Sequence, residues 1–239
     1  MAQAIFVKCS LFATSAASIG LLSLGVASPS RAAIVNGGFE SNSFSGWTTI
    51  GNTSIQTAAF GSGPTAGNYE ALVRNGSGAV STPDLETFLG TTIGSLDDLN
   101  NGITDSGAAI KQTFTADAGN VLSFDWNFLT NEIPPTPLND YAFISVGSLS
   151  TLTSVITANL VPFSSSFPQQ TGFKTYSVTI PTTGTYTLAL GVANVSDSGG
   201  ESALLVDNVR LQAVPEPSSL LGILAFSTLG VLTLVKRRA

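Results

Sequence analysis

Between residues 33 and 213, the side chains able to do chemistry are nearly all carboxylates. Of the 15 Asp and Glu in the chain, only Glu216 lies outside that stretch. Of the 9 Lys and Arg, only Arg74, Lys111, Lys174 and Arg210 lie inside it. There is no His and a single Cys. Without His the commonest general base is missing, and with it the Ser-His-Asp, Cys-His and zinc-water mechanisms. Carboxylates acting alone can hold a hard cation such as Ca²⁺ or accept hydrogen bonds from sugar hydroxyls. As a pair about 5 to 9 Å apart they can cleave a glycosidic bond. So many acids supply such pairs freely, so their number does not argue for a hydrolase. No nucleophile elbow, phosphate loop or dinucleotide fingerprint is present. The expectation is a protein that is not an enzyme. The acidic balance argues against a nucleic-acid partner, which needs clustered Lys and Arg.

Two groups of polar residues stand where a ligand could meet them. Asn131, Glu132, Asn139 and Asp140 flank Pro134, Pro135 and Pro137 in a stiff, oxygen-rich loop. Such a loop suits Ca²⁺ or sugar hydroxyls but lacks EF-hand spacing, and a plain solvated loop is the alternative. Ser123, Asp125 and Asn127 form the polar face of a strand and would line a glycan groove if their sheet is concave, with an ordinary solvated sheet face as the favoured alternative. Trp126 shares its phase with Leu122, Phe124 and Phe128 and is expected in the core. Trp47 follows Gly46 near a turn and is the aromatic that could stack on a sugar ring, with packing as its alternative.

The elements that must position these residues are strands. Period-2 alternation marks 109–115, 121–129, 175–180 and 185–192. Residues 141–146 and 204–211 read as strands buried on both faces. Pro181-Thr182-Thr183-Gly184 predicts a hairpin turn. Residues 85–99 could hold one or two short helices. Strands punctuated by Gly, Pro, Ser, Thr and Asn, with few helices, predict an all-β fold, an antiparallel β-sandwich or jelly roll over 33–213.

The two ends read as addresses. Residues 9–26 are apolar, with Lys8 before them and Ser30-Arg31-Ala32 after, the pattern of a secretory signal peptide cleaved after Ala32. A retained N-terminal membrane helix is the alternative. Cleavage discards Cys9, so the mature protein has no disulfide. Residues 218–235 carry no charge and are long enough to span a bilayer as a transmembrane helix. Lys236, Arg237 and Arg238 follow and should stay cytoplasmic. Pro215-Glu216-Pro217, this span and the basic cluster together resemble the PEP-CTERM sorting signal over 214–239. The resemblance implies export, a membrane-anchored precursor, and cutting near the tripeptide by exosortase at the cell surface. The two prolines suit that role, because they forbid helix and hold an extended segment at the membrane.

The exported domain carries a second resemblance. Asn36-Gly37-Gly38-Phe39-Glu40 followed by Gly46-Trp47 is similar to the opening of jelly-roll carbohydrate-binding modules and galactose-binding-like domains. Asp207-Asn208-Val209 resembles their closing strand. In those modules the first and last strands lie side by side, bridged by a structural Ca²⁺. Carried over, this implies Glu40 and Asp207 as ligands, with a backbone carbonyl near Gly38. The residues themselves add that Asp207 is in phase with Leu205, Val209 and Leu211, which would bury a carboxylate in need of a partner. The alternatives are that Asp207 is hydrogen-bonded to backbone amides, or that Leu204 and Val206 mark the inward face. Three functions remain open: a non-enzymatic surface or extracellular-matrix protein, which leads; a module binding exopolysaccharide; and a polysaccharide hydrolase.

Overall fold

The structure is a computed structural model that describes residues 33–133, 138–196 and 199–213. The expected signal peptide (1–32) lies outside the described residues. So do Pro134, Pro135 and Pro137, and the whole sorting signal, including Pro215, Glu216, Pro217, the span 218–235, Lys236, Arg237 and Arg238. Among the described residues no helix is long and apolar enough to cross a membrane.

The chain passes back and forth between two antiparallel sheets. After a run of turns, β1 (Thr48–Ile50) joins the first sheet. Beyond Gly51, β2 (Asn52–Gln56) joins the second, where β3 (Glu70–Arg74) pairs with it. β4 (Val80–Ser81), helix α1 (Thr82–Leu89) and β5 (Thr104–Ala116) follow, with both strands in the first sheet. β6 (Val121–Thr130) crosses to the second. The hairpin of β7 (Tyr141–Val146) and β8 (Ser148–Ser154) lies in the first sheet. β9 (Val161–Pro162), β10 (Gln169–Gln170) and β11 (Lys174–Thr179) lie in the second. β12 (Gly184–Val195) returns to the first and β13 (Ser202–Gln212) ends in the second. The first sheet runs β1-β5-β12-β7-β8, with β4 also on β5. The second runs β2-β3-β13-β6-β10-β9, with β11 also along β6.

The alternation predicts this core well. Leu122, Phe124, Trp126 and Phe128 of β6 all face the space between the sheets, together with Ile110, Phe114, Leu188, Leu190, Val192, Leu204 and Val206. The expected hairpin at Pro181–Gly184 is not one. β11 pairs with β6 in the second sheet, whereas β12 pairs with β5 and β7 in the first, so the turn is a crossover between sheets. The turn residues bend the chain either way; which sheet receives the next strand depends on distant pairing.

The outer faces of both sheets are covered. Over the first sheet, α1 and the segment up to Leu99 bury Leu85 and Leu96 against Tyr141 and Phe143. Ser81 caps α1 by accepting from the Asp84 N–H, and Gly90 closes it in the left-handed region. Over the second sheet, Phe60, Phe163, Phe167 and Phe173 pack onto Leu72, Leu129, Ala203 and Leu205.

Candidate functional site

The first candidate lies on the covered face of the second sheet. The β13–β3 register pairs Leu205 with Leu72 and Val206 with Ala71, and one step further sets Asp207 beside Glu70. On its other side Asp207 is paired with Asp125, and Asp125 with Thr175. Three carboxylates thus stand in a row across adjacent strands, an arrangement in which like charges destabilise one another. Leu204, Val206 and Val209 face the inter-sheet core, so Asp207 points away from it, in phase with Leu205. A bulge between Asp207 and Arg210 shifts Val209 to the opposite phase. Asp207 is nonetheless fully buried, by the loop that covers the sheet.

Each acid meets a different supply of donors. Thr65 Oγ1 donates to Asp125 Oδ2 (2.8 Å) and lies 3.0 Å from Asp207 Oδ2. The Ala66 and Asn208 N–H groups donate to Asp207 at 2.8 and 2.6 Å. Asp125 also accepts from Thr175 Oγ1 (2.6 Å) and Asn208 Nδ2 (2.9 Å). Burial pushes the Asp125 carboxyl up, but these hydrogen bonds and the charge of Arg210 outweigh it and hold it below the usual range. For Asp207 burial wins over its hydrogen bonds, and its pKa is raised. Glu70 is fully buried, and among the described residues neither of its carboxyl oxygens has a hydrogen-bond partner. Burial, then the charge of Asp207, push it up to about 8.

The N-terminal turns approach this row. The opening motif forms no strand; Asn36, Phe39 and Asn42 all take positive φ, so the chain turns repeatedly instead of extending. It still lies beside β13, where the Val209 N–H donates to Gly37 O (2.9 Å). A Cβ on Gly37 would fall 1.9 Å from Val209 O, so only Gly permits that approach. A Cβ on Gly38 would lie 3.7 Å from both Asp207 Oδ1 and the Glu40 side chain. The Glu40 carboxylate accepts from the Asn68 and Tyr69 N–H groups (3.0 and 3.1 Å). Among the described residues no three acids, His or Cys gather as a metal-holding group.

The polar face of β6 is not an open wall. Ser123, Asp125 and Asn127 are buried beneath the covering loops. Asn127 is spent on Ser62, Gln170 and Thr171. Trp47 is 8% exposed, packs on Phe39 with ring centroids 5.4 Å apart, and donates from Nε1 to Asn36 O. It is a packing residue with no face offered to a sugar. Trp126 is in the core as expected, with Lys174 Nζ over its ring.

The second candidate is a cleft of about 360 Å³ at the end of the sandwich where β3, β12 and β13 begin or end. It is lined by Asn75, Gly76, Ser77, Ser106, Asn194 and Gly200, among others. Its walls come from four separate stretches of chain, each held by a strand. Asn75 is 4% exposed; its Nδ2 donates to Asp140 Oδ2 (2.7 Å) and its Oδ1 accepts from the Ser202 N–H (2.7 Å). Asp140, fully buried, also accepts from the Val195 N–H (2.9 Å). Glu132 lies behind Gly200, where a Cβ would collide with its carboxylate. Asn139, the other member of that loop, accepts from the Ile156 N–H and donates to Asn101. A wider groove of about 670 Å³ runs along residues 57–69, but one loop alone forms it.

The expected residues therefore divide between two places. Glu40, Gly38, Asp207 and Asp125 are near one another; Glu132 and Asp140 lie at the cleft; Asn127 and Trp47 belong to neither. Glu70, Thr65 and Asn75 were not singled out in the sequence, and Asn208 entered only as the middle residue of the closing motif. Glu70 had a usable signal: it opens a run, Glu70-Ala71-Leu72-Val73, that is otherwise apolar on both faces.

No protein-family model matches this chain, and no curated protein matches it. Among solved structures it is similar to the carbohydrate-binding module TmCBM61 in complex with β-1,4-galactotriose. That match has 14% identity and a TM-score of 0.43, covering 77% of this chain and all of that one. It is also similar to TmCBM27, a carbohydrate-binding module described for specific mannan recognition (12% identity, TM-score 0.34, 72% of this chain and 91% of that one). A third likeness is to the enzymatically active domain of tailspike protein 4 of bacteriophage CBA120 (14% identity, TM-score 0.36, 77% of this chain and 21% of that one).

Proposed function

We propose that the domain is an exported carbohydrate-binding module of jelly-roll type, without catalytic activity, that holds a glycan in the cleft at the end of the sandwich. The observation that carries this reading is the construction of the cleft. Amide and hydroxyl groups line it, and among the described residues no basic side chain does. Its buried Asn75 is fixed by Asp140 and Ser202, which leaves one amide hydrogen without a partner among the described residues. A cleft built on strand ends is already ordered, so binding a polyhydroxylated ligand costs little further entropy. Asp140 is occupied with Asn75 and Val195, an argument for a structural rather than a catalytic carboxylate. Affinity electrophoresis against β-1,4-galactan, mannan and the host's own exopolysaccharide tests the reading. Retardation that Ser77→Trp abolishes, with the melting temperature unchanged, is expected, since exposed Ser77 lies at the wall. No retardation by any glycan, or retardation indifferent to Ser77→Trp, overturns it; release of reducing ends would favour a hydrolase.

Calcium belongs to the same proposal, at the acid row. Its support is Glu70: a buried carboxylate with no donor, set beside a second buried carboxylate, fits a cation with oxygen ligands. Asp207 and Glu70 would hold the ion; Glu40, which the opening motif implies as a further ligand, is bound instead to the Asn68 and Tyr69 N–H groups, and no third acid gathers with the pair as a metal-holding group among the described residues. When bound, Ca²⁺ would supply positive charge beside Glu70 and Asp207, as Arg210 does for Asp125.

Export follows from the end segments, with exosortase as the processing partner and the cell surface or extracellular matrix as destination. A glycan-binding domain would then be retained in that matrix. The intact mass of the protein recovered from its host should correspond to loss of both the leader and the tail beyond Pro215-Glu216-Pro217. A mass with both ends still attached overturns the sorting reading.

A further inference from the structure

The rim strand β8 raises a separate question, because an unpaired sheet edge is a template for another chain. β8 is the last strand of the first sheet. It pairs with β7 alone, and among the described residues no strand pairs with its outer side. Its sequence, Ser148-Leu-Ser-Thr-Leu-Thr-Ser154, has no Lys, no Pro and no acid. The other rims are shorter or charged: β1 has three residues, β2 five, β4 two, β9 two, one of them Pro162, and β11 six, opening on Lys174. Edges are ordinarily guarded by charge, proline or shortness. This one has none of these guards beyond a bulge opposite Ala142 and Phe143.

The charge distribution says which partner suits it. Not one residue from Tyr141 to Phe173 is charged, although residues 33–213 hold far more acids than bases. Two copies of so acidic a domain repel wherever their carboxylates meet. At the β8 rim they would meet without a charged side chain from this stretch on either side. Ile156 (61% exposed) lies two residues beyond the strand and offers apolar surface in the same uncharged stretch. Serine and threonine pair favourably across an antiparallel ladder, and a two-fold axis through β8 would set the strand against itself.

We infer that β8 is a self-association edge, at which two copies of this chain pair antiparallel to form one sheet continuous across the dimer. This is independent of whether the cleft binds glycan. Sedimentation velocity of the exported protein over a wide concentration range tests it. A monomer–dimer equilibrium is expected. Ser150→Lys, at an exposed rim position, should leave only monomer, and Ser148→Lys should do the same. Thr185→Lys, exposed on β12 away from the rim, should dimerise as the unaltered protein does. A protein that stays monomeric throughout, or a dimer that survives both rim lysines, overturns the inference. So does a monomer whose rim instead captures an extended peptide of another protein.

Discussion

The two outer faces of this sandwich are both covered, yet they treat buried acid differently. Over the first sheet the cover is apolar, and the buried carboxylate of Glu86 on α1 accepts from the Gly94 and Leu96 N–H groups. The buried Tyr141 hydroxyl there is met by Thr104 and the Leu96 carbonyl. Over the second sheet, Phe167 and Leu205 pack in the same way, but Glu70, Asp207 and Asp125 are buried beside them in a row. Burying a carboxylate is costly unless its oxygens find donors or a cation. The first face meets that cost from its own backbone. The second leaves Glu70 unmet, so it is the face that should respond to cations and to pH, while the first should respond only to packing.

The largest effect should come from breaking the packed face. Phe143 is fully buried there, and its ring lies against Gly191, where a Cβ would come within 2.3 Å of it. Phe143→Ala should cost about 3 to 5 kcal/mol, the range for deleting a buried aromatic ring. Denaturant unfolding should give the same loss at pH 5 and pH 8, and the same loss in calcium or chelator. A loss that changes with calcium would mean that the two faces are coupled, and the contrast drawn above would fail.

The contrast was only partly legible in the sequence. The strands β6, β7 and β12 can be read from alternation or from an uninterrupted apolar run, because each side chain's face is fixed by its own strand. Asp207 stood out as an acid in phase with Leu205 in an apolar strand. The covers could not be read in this way. The loop residues 57–69 lie far in sequence from β6, and nothing in Ser123-Phe-Asp-Trp-Asn127 says that its polar face will be roofed over. Glu70 was missed because its burial depends on two long-range facts, the β3–β13 register and that same roof. The opening motif misled in a different way: the resemblance it carries implied a strand, but positive φ at Asn36, Phe39 and Asn42 folds it into turns that still reach β13.

The smaller effect concerns Glu70. Its folded pKa is about 8 against an ordinary 4.5, so between those values the folded chain holds a proton that the unfolded chain has lost. Stability falls with rising pH wherever the native state binds more protons. In chelator, then, the protein should be most stable near pH 4.5 and weaken up to about pH 8, by at most about 1.4 kcal/mol per pH unit from this group. Asp207, also raised, acts in the same direction over its own range. A cation beside the two carboxylates would favour their charged forms, so millimolar Ca²⁺ should flatten the slope and raise the melting temperature most at pH 8. Glu70→Gln removes the titrating group while keeping its shape. It should flatten the slope in chelator and lose most of the calcium response, leaving the Phe143→Ala loss untouched. A chelated protein whose melting temperature does not fall across this interval would show that Glu70 has a partner after all, and the second face would then be no different in kind from the first.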